Sequence, residues 1–300
     1  MNSFIVKTGA VVELIIRERA SEKSTMLELL AKILFYPLPY RILLFRRLLR
    51  NMQFVPYSER LKYGALERPN YGFCLYNAAL LAKNLGIEKI SAVEFGVAGG
   101  NGLVNIERHA AEIEKELGTG FEVYGFDMES GLPAPRDHRD LPHNYKLGDY
   151  RMDRARLKAR LKISKLVLGD VKDTCETFFD DFAPAPVGCI FFDLDYWSST
   201  LDSFKLFDAG SDHFLPRVYC YFDDVYASES AAMCEFIGQR LAIDDFNGAS
   251  EDRKIGRLFH FVSPPAIPAG WHSQIYVYHD FKHPDYATFV QSGEGQLPLL

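Results

Sequence analysis

The chain has 300 residues, of which 48% are apolar and 25% charged. This is the composition of a globular fold with a sizeable core, not of a disordered or fibrous chain. A net charge of -6 leaves no basic footprint of the kind nucleic acid selects. Cys74, Cys175, Cys189, Cys220 and Cys234 are far apart and odd in number, which argues against a zinc site or a disulfide framework and for a reducing, cytoplasmic setting.

The opening MNSFIVKTGAVVELII lacks a basic leader and carries Glu13 inside its apolar run, a poor match to a signal peptide. The apolar stretch over 26–50 is interrupted by Lys32, Pro37, Pro39 and Arg41, short of the roughly 18 uninterrupted residues that a transmembrane span needs. Within 41–50, Ile42, Phe45 and Leu49 share one helical face and Arg46, Arg47 and Arg50 the other, which predicts an amphipathic helix packed on the core or on another subunit with its arginines solvated, a lipid-facing helix being the alternative. A further helix is expected over Tyr71 to Leu85. Residues 1–85 are therefore read as a helical N-terminal appendage serving subunit contact in a homo-oligomer, or the acceptor pocket, and 86–300 as the main domain.

From Ile90 onward, short apolar runs alternate with helical stretches, which is the pattern of an α/β doubly wound, mostly parallel sheet. Seven strands are expected, at 90–95, 121–126, 165–168, 187–192, 217–222, 257–262 and 273–278, with helices near 101–117, 152–162, 199–208 and 228–241. Residues 131–151 are rich in proline and glycine at their start and show no helical period, so they read as a long, lid-like loop above the strand ends. The basic residues from Arg154 to Lys165 are read as the solvated face of a helix.

Acidic residues end five of these runs. The turn VEFGVAGGNG contains Glu94, Gly96, Gly99 and Gly100; its glycines let the backbone approach a ligand, yet their spacing is not GxGxxG. It resembles the first motif of class I S-adenosylmethionine-dependent methyltransferases. Asp127 closes the second run, where a carboxylate can accept both hydroxyl hydrogens of a ribose. Gly169 and Asp170 close the third, where the resemblance implies contact with the adenine side of the pocket. Each acid taken alone also reads as a helix cap. After the fourth and fifth runs stand Asp193 with Asp195 and Asp223 with Asp224. Four carboxylates at neighbouring strand ends call for protonation, solvation or a hard divalent cation such as magnesium; for Asp195 and Asp224, helix capping is an equal alternative.

GFDMESGLP, GDVKDT, DLDYWSST and FDDVY occur in the order found in the macrocin O-methyltransferase family, and the resemblance covers about 90–227. It implies a Rossmann-like methyltransferase fold and an enzyme that moves a methyl group from S-adenosylmethionine to a sugar hydroxyl. The cofactor would lie on Glu94, Gly96, Gly99, Gly100, Asp127, Gly169 and Asp170, and Mg2+ on Asp193, Asp223 and Asp224. Trp197 departs from the family by standing where an acid is common, Val225 separates the aspartate pair from Tyr226, and the 131–151 loop is long. Asp193 is expected to act in catalysis, with Asp195 or a lid histidine, His143, as proton acceptor; His138, His279 and His283 are further histidines within reach of the strand ends. The acceptor is expected to be a small vicinal diol, on a sugar or glycosylated metabolite. A nicotinamide-dependent oxidoreductase, which shares the strand, turn and acid, and a non-catalytic binding module of the same fold are the alternatives.

Overall fold

A computed structural model describes residues 40–226, 228–259 and 269–291; the expected helical appendage before residue 40 lies outside them. Among the described residues three helices come first: α1 (Tyr40–Asn51), α2 (Tyr57–Lys62) and α3 (Pro69–Asn84). There follow β1 (Lys89–Phe95), α4 (Asn101–Leu117), β2 (Gly120–Asp127), α5 (Arg154–Lys158), β3 (Lys165–Leu168), α6 (Val171–Phe182) and β4 (Val187–Phe192). The chain ends with α7 (Trp197–Ser203), β5 (Phe214–Phe222), α8 (Gly238–Ala249), β6 (Arg253–Arg257) and β7 (Ile275–Asp280).

The seven strands form one sheet in the order β3-β2-β1-β4-β5-β7-β6. β1 to β5 run parallel, and β7 lies antiparallel to both β5 and β6. Chain order reverses between β1 and β4, and in an open α/β sheet this switch point opens the crevice where ligands bind.

Period-two alternation assigns the strand residues to two cores. Val93, Phe95, Phe126, Ile190, Phe192 and Phe222 pack with Phe178 of α6 and with Ala242, Ile243 and Phe246 of α8. Ile90, Ala92, Val123, Cys189 and Phe191 pack with α3 and α4. Leu75, Ala78, Ala79 and Ala82 of α3 are fully buried; although α3 falls within the expected appendage, it covers the sheet like the helices of the main domain.

Several boundaries differ from expectation. β6 lies at 253–257, ahead of the expected 257–262: it is an edge strand with only Ile255 buried, and edge strands need no apolar run, while Phe259 is 74% exposed. α8 starts ten residues later than expected, because Phe236 faces solvent and Ile237 is extended at φ -145°. The helix expected at 199–208 is α7 followed by a 3-10 turn over Phe204–Asp208. That expected at 152–162 shrinks to the short α5, whose cap, Asp153, accepts the Arg156 N–H at 3.0 Å. β5 extends back through Pro216, which sits where pairing with β4 shifts register between Val187 and Cys189; a residue without an N–H is tolerated at such an interruption.

The link between α2 and the sheet domain runs through α4. Glu116 accepts the Tyr57 and Ser58 N–H groups, capping α2 from outside, and buried Arg60 pairs with Glu112. His109 is enclosed between the Tyr57 hydroxyl (2.8 Å) and the Glu67 carbonyl (2.9 Å). A carbonyl only accepts, so Nε2 carries the proton and Nδ1 accepts from Tyr57. Burial pushes His109 down to about 4, against weaker opposing effects from the Glu67 carbonyl and Glu112. Between its unfolded value near 6.5 and about 4, the unfolded chain binds the extra proton, so stability declines as pH falls through that window. We expect His109→Gln, which can keep both hydrogen bonds, to flatten the pH dependence of urea unfolding by about 3 kcal/mol over this range. An unchanged pH profile in the variant would show that His109 is not held neutral.

Candidate active site

The switch point opens into a cavity of about 490 Å³, within the usual size of a small-molecule site. One side is formed by Gly96, Ala98, Asp127, Gly169, Asp170 and Val171 and the other by Asp193, Asp195, Ser198, Asp202, Asp223 and Asp224. The 131–151 loop supplies a wall through Leu132, Pro133, Arg136, Tyr145 and Tyr150.

Gly96 is in the left-handed region at φ +83°, and a Cβ there would lie 1.7 Å from the Asp193 carbonyl oxygen. Only glycine lets the β1 turn pass so close to the end of β4. Asp127 fastens the same turn: its Oδ2 accepts the N–H groups of Val97 (3.0 Å) and Ala98 (2.9 Å), and its Oδ1 that of Glu129 (2.6 Å). Asp170 caps α6 by accepting the Lys172 N–H at 2.9 Å, while Gly169, at φ +147°, keeps the backbone open beside it.

Glu94, Gly99 and Gly100 are not among the cavity-lining residues. Glu94 is buried behind the turn, where Oε1 accepts the Tyr71 hydroxyl at 2.8 Å. Burial raises its pKa to about 7, against the pull of Tyr71 and Arg68. A Cβ at Gly100 would meet Leu157, so that glycine admits α5 against the turn; Gly99 has open space around it.

The carboxylates after β4 and β5 converge. One oxygen each from Asp193, Asp223 and Asp224 lies within 4.8 Å of the other two. Burial drives Asp193 well above the usual carboxylate range, reinforced by Asp223, Glu94 and Asp195 and opposed by Arg68. Asp224 moves the same way through burial and its three acidic neighbours. The all-oxygen donor set suits one hard divalent cation; 4.8 Å is within the span of about 5 Å between trans oxygens on calcium, and the carboxylates would draw in to reach about 4.2 Å around magnesium. Asp223 accepts the Tyr221 hydroxyl at 2.5 Å; Asp224 accepts the Asp195 N–H at 3.0 Å, and its own N–H bonds Gln239 at 2.9 Å. Asp195 is held at φ +58°, a left-handed conformation that a non-glycine residue adopts only when its surroundings fix it. Burial raises its pKa to about 6, partly offset by a hydrogen bond from Tyr145. Neither Asp195 nor Asp224 accepts a helix-cap bond of its own: α7 has Tyr196 at its N-cap with no side-chain bond, and only a 3-10 turn starts at Asp223.

The histidines go elsewhere. His143 is exposed, and its Nε2 bonds the Ala231 carbonyl at 3.1 Å, outside the cavity lining. His138 is exposed beside Asp137. His279 pairs with Arg217 across the β5–β7 ladder and His283 bonds the Phe214 carbonyl, so both lie at the amino end of β5, opposite the crevice. Their expected reach to the strand ends is corrected by β7 running antiparallel.

Residues that carry no spacing signal complete the site. Arg68, at the start of α3, faces Tyr71, Glu94, Asp193 and Asp223; burial opposes its charge, but these neighbours outweigh burial and raise its pKa. The loop wall is fastened by Asp140, fully buried, which accepts the Ser198 N–H, the Ser198 hydroxyl and the Arg136 N–H, each at 2.8 Å. Arg136 also pairs with Asp202, and Leu141, Tyr145 and Tyr196 form a small core beneath. Asp140→Ala strips an acceptor from two backbone N–H groups, and we expect a loss of about 2 to 4 kcal/mol in urea unfolding with faster protease nicking in 131–151. A change under about 0.5 kcal/mol would mean that the loop is secured by other contacts.

No family model and no curated protein matches the sequence. Among solved structures, the calicheamicin methyltransferase CalS11 is similar at 19% identity over 88% of this chain and 96% of its own, with a TM-score of 0.48. The O-methyltransferase NovP is similar at 12% identity over 80% and 98%, with a TM-score of 0.46. TomG of Streptomyces achromogenes, an O-methyltransferase of tomaymycin synthesis solved with S-adenosylmethionine, is similar at 10% identity over 84% and 94%, with a TM-score of 0.39. These likenesses are distant, and the fold rests on the strand order rather than on them. With five parallel strands, a reversed β7 inserted between β5 and β6, and a crevice at the β1–β4 switch point, the chain has a doubly wound, Rossmann-like α/β fold.

Proposed function

We propose that this chain is an O-methyltransferase that moves the methyl group of S-adenosylmethionine to a hydroxyl of a sugar or another vicinal-diol small molecule, with a divalent cation, Mg2+, held by Asp193, Asp223 and Asp224. One observation carries the reading: a single cavity joins the glycine turn with Asp127, Gly169 and Asp170 to the converging carboxylates after β4 and β5. In the reaction, the acceptor oxygen bonds the methyl carbon, the carbon–sulfur bond breaks with its electron pair going to sulfur, and the hydroxyl proton passes to a base. The cation, when bound, supplies Lewis acidity that lowers the pKa of a hydroxyl and fixes its direction.

The protein residues divide the remaining work. Gly96 lets the β1 turn seat against the end of β4, and the one lone pair of Asp127 not used by Val97, Ala98 and Glu129 accepts from ribose. Glu94, set back behind the turn with Tyr71, shapes it from the core side. Asp195 is outside the converging triplet, oriented by Tyr145 and part of the same cavity lining, which suits it to take the acceptor's proton. Tyr145, Tyr150, Leu132 and Pro133 offer the apolar faces on which a sugar ring can rest.

Calorimetry tests the cofactor. S-adenosylmethionine or its demethylated product should bind, and Asp127→Ala should weaken that binding about tenfold or more, as for a lost charge-assisted hydrogen bond of about 1.5 to 3 kcal/mol. Tighter binding of NAD than of either compound would instead favour the nicotinamide reading.

A further inference from the structure

We propose that the outward face of α1 docks the protein on the surface of an anionic phospholipid bilayer. A surface helix normally turns its charged side to water. In α1 this order is broken on two sides. Arg46 and Arg50 turn toward the body, their Nε groups donating to the carbonyls of Tyr63 (2.8 Å) and Ala65 (2.9 Å), and Leu49 is buried. Leu44, Phe45 and Leu48, at adjacent positions on the opposite side, are 60%, 50% and 52% exposed. Tyr63, itself exposed, meets Phe45 edge to face at 5.9 Å and extends the patch. Soluble proteins seldom leave such apolar residues clustered in the open without a surface to bury them against.

Charge selects the occupant. The helix YRILLFRRLLRN has no acidic residue, and with Arg46 and Arg50 turned inward its exposed charge beside the patch is that of Arg47. Arg47 is exposed on the flank of the patch, and Lys62, largely exposed and loosely paired with Glu59 at 3.7 Å, stands over the Tyr63 ring at 5.8 Å. Leucine and phenylalanine bounded by arginine and lysine is the chemistry of a helix lying in the headgroup layer, where the apolar side chains enter the acyl boundary and the cations meet phosphate. No described helix is long and apolar enough to cross a membrane, so the contact is one of surface docking. The face is remote in sequence from the carboxylate cluster, and the inference stands independently of the proposed reaction.

Vesicle flotation of the full chain tests it, with phosphatidylcholine vesicles containing or lacking phosphatidylglycerol. The expected result is binding at least about tenfold stronger to the anionic vesicles, weakened by high salt. The triple variant Leu44→Ser, Phe45→Ser, Leu48→Ser should lose it, and Arg47→Glu should reduce it about tenfold, with unfolding midpoints unchanged because these side chains are exposed. Failure of the wild-type chain to float with anionic vesicles overturns the proposal. So does flotation that persists in the triple variant, which would put the lipid contact elsewhere. If sedimentation shows wild-type oligomers that the triple variant breaks to monomers, with no vesicle binding by either, the face is a contact between copies of the chain.

Discussion

Asp193→Ala is expected to abolish methyl transfer, by about a thousandfold or more, while S-adenosylmethionine affinity changes by less than about threefold. The reason is geometric: Asp193 brings one of the three oxygens that lie within 4.8 Å of one another, whereas the turn proposed to meet the cofactor is held separately by Asp127. Asp223→Ala should behave alike. Stability gives a second readout that needs no acceptor. Burial and neighbouring carboxylates oppose the charge on Asp193, so Asp193→Asn should raise the unfolding midpoint of the cation-free protein at neutral pH. Added Mg2+ should stabilise the wild type, by about 2.7 kcal/mol at a hundred times its dissociation constant, and leave the variant unmoved. Full methyl transfer in excess chelator would defeat the metal assignment.

Gly96→Ala should cost about 2 to 4 kcal/mol of stability and most of the cofactor affinity. A left-handed φ penalises alanine by about 1 to 2 kcal/mol, and the new methyl lands 1.7 Å from the Asp193 carbonyl oxygen, which is backbone and yields only if β4 shifts. Gly99→Ala is the control: it has open space and ordinary φ, and its loss should stay below about 1 kcal/mol. Urea unfolding of both variants beside calorimetry separates the two. Equal losses would mean that the turn is not set by its contact with β4.

Sequence patterning located the central sheet well because buried parallel strands are continuous apolar runs. β3, β4 and α4 fall at the expected residues, and the acids at their ends were legible for the same reason. The edge strand β6 was misplaced because only Ile255 turns inward, and α8 because the apolar residues near Phe236 suggested a helix where the chain is exposed and extended. In the site, the convergence of Asp193, Asp223 and Asp224 follows from β4 and β5 being neighbours, which topology rules supply. Arg68, Tyr71, Tyr145, Asp140 and Gln239 come from distant parts of the chain and obey no periodicity. The offset of Glu94 from the cavity was equally invisible, since alternation along β1 sends it to the face opposite Phe95 and a strand-end position alone does not name the face.

Asp127 has a consequence for how fast a ligand is captured. Its bonds to the amides of Val97, Ala98 and Glu129 hold the glycine turn in shape before any ligand arrives. The conformational entropy of that turn is thus lost during folding and not again at association. Entry into the crevice is then governed by encounter and orientation rather than by a slow ordering of the loop, and a typical second-order association of about 10⁵ to 10⁷ M⁻¹s⁻¹, with no lag from turn formation, is its kinetic signature.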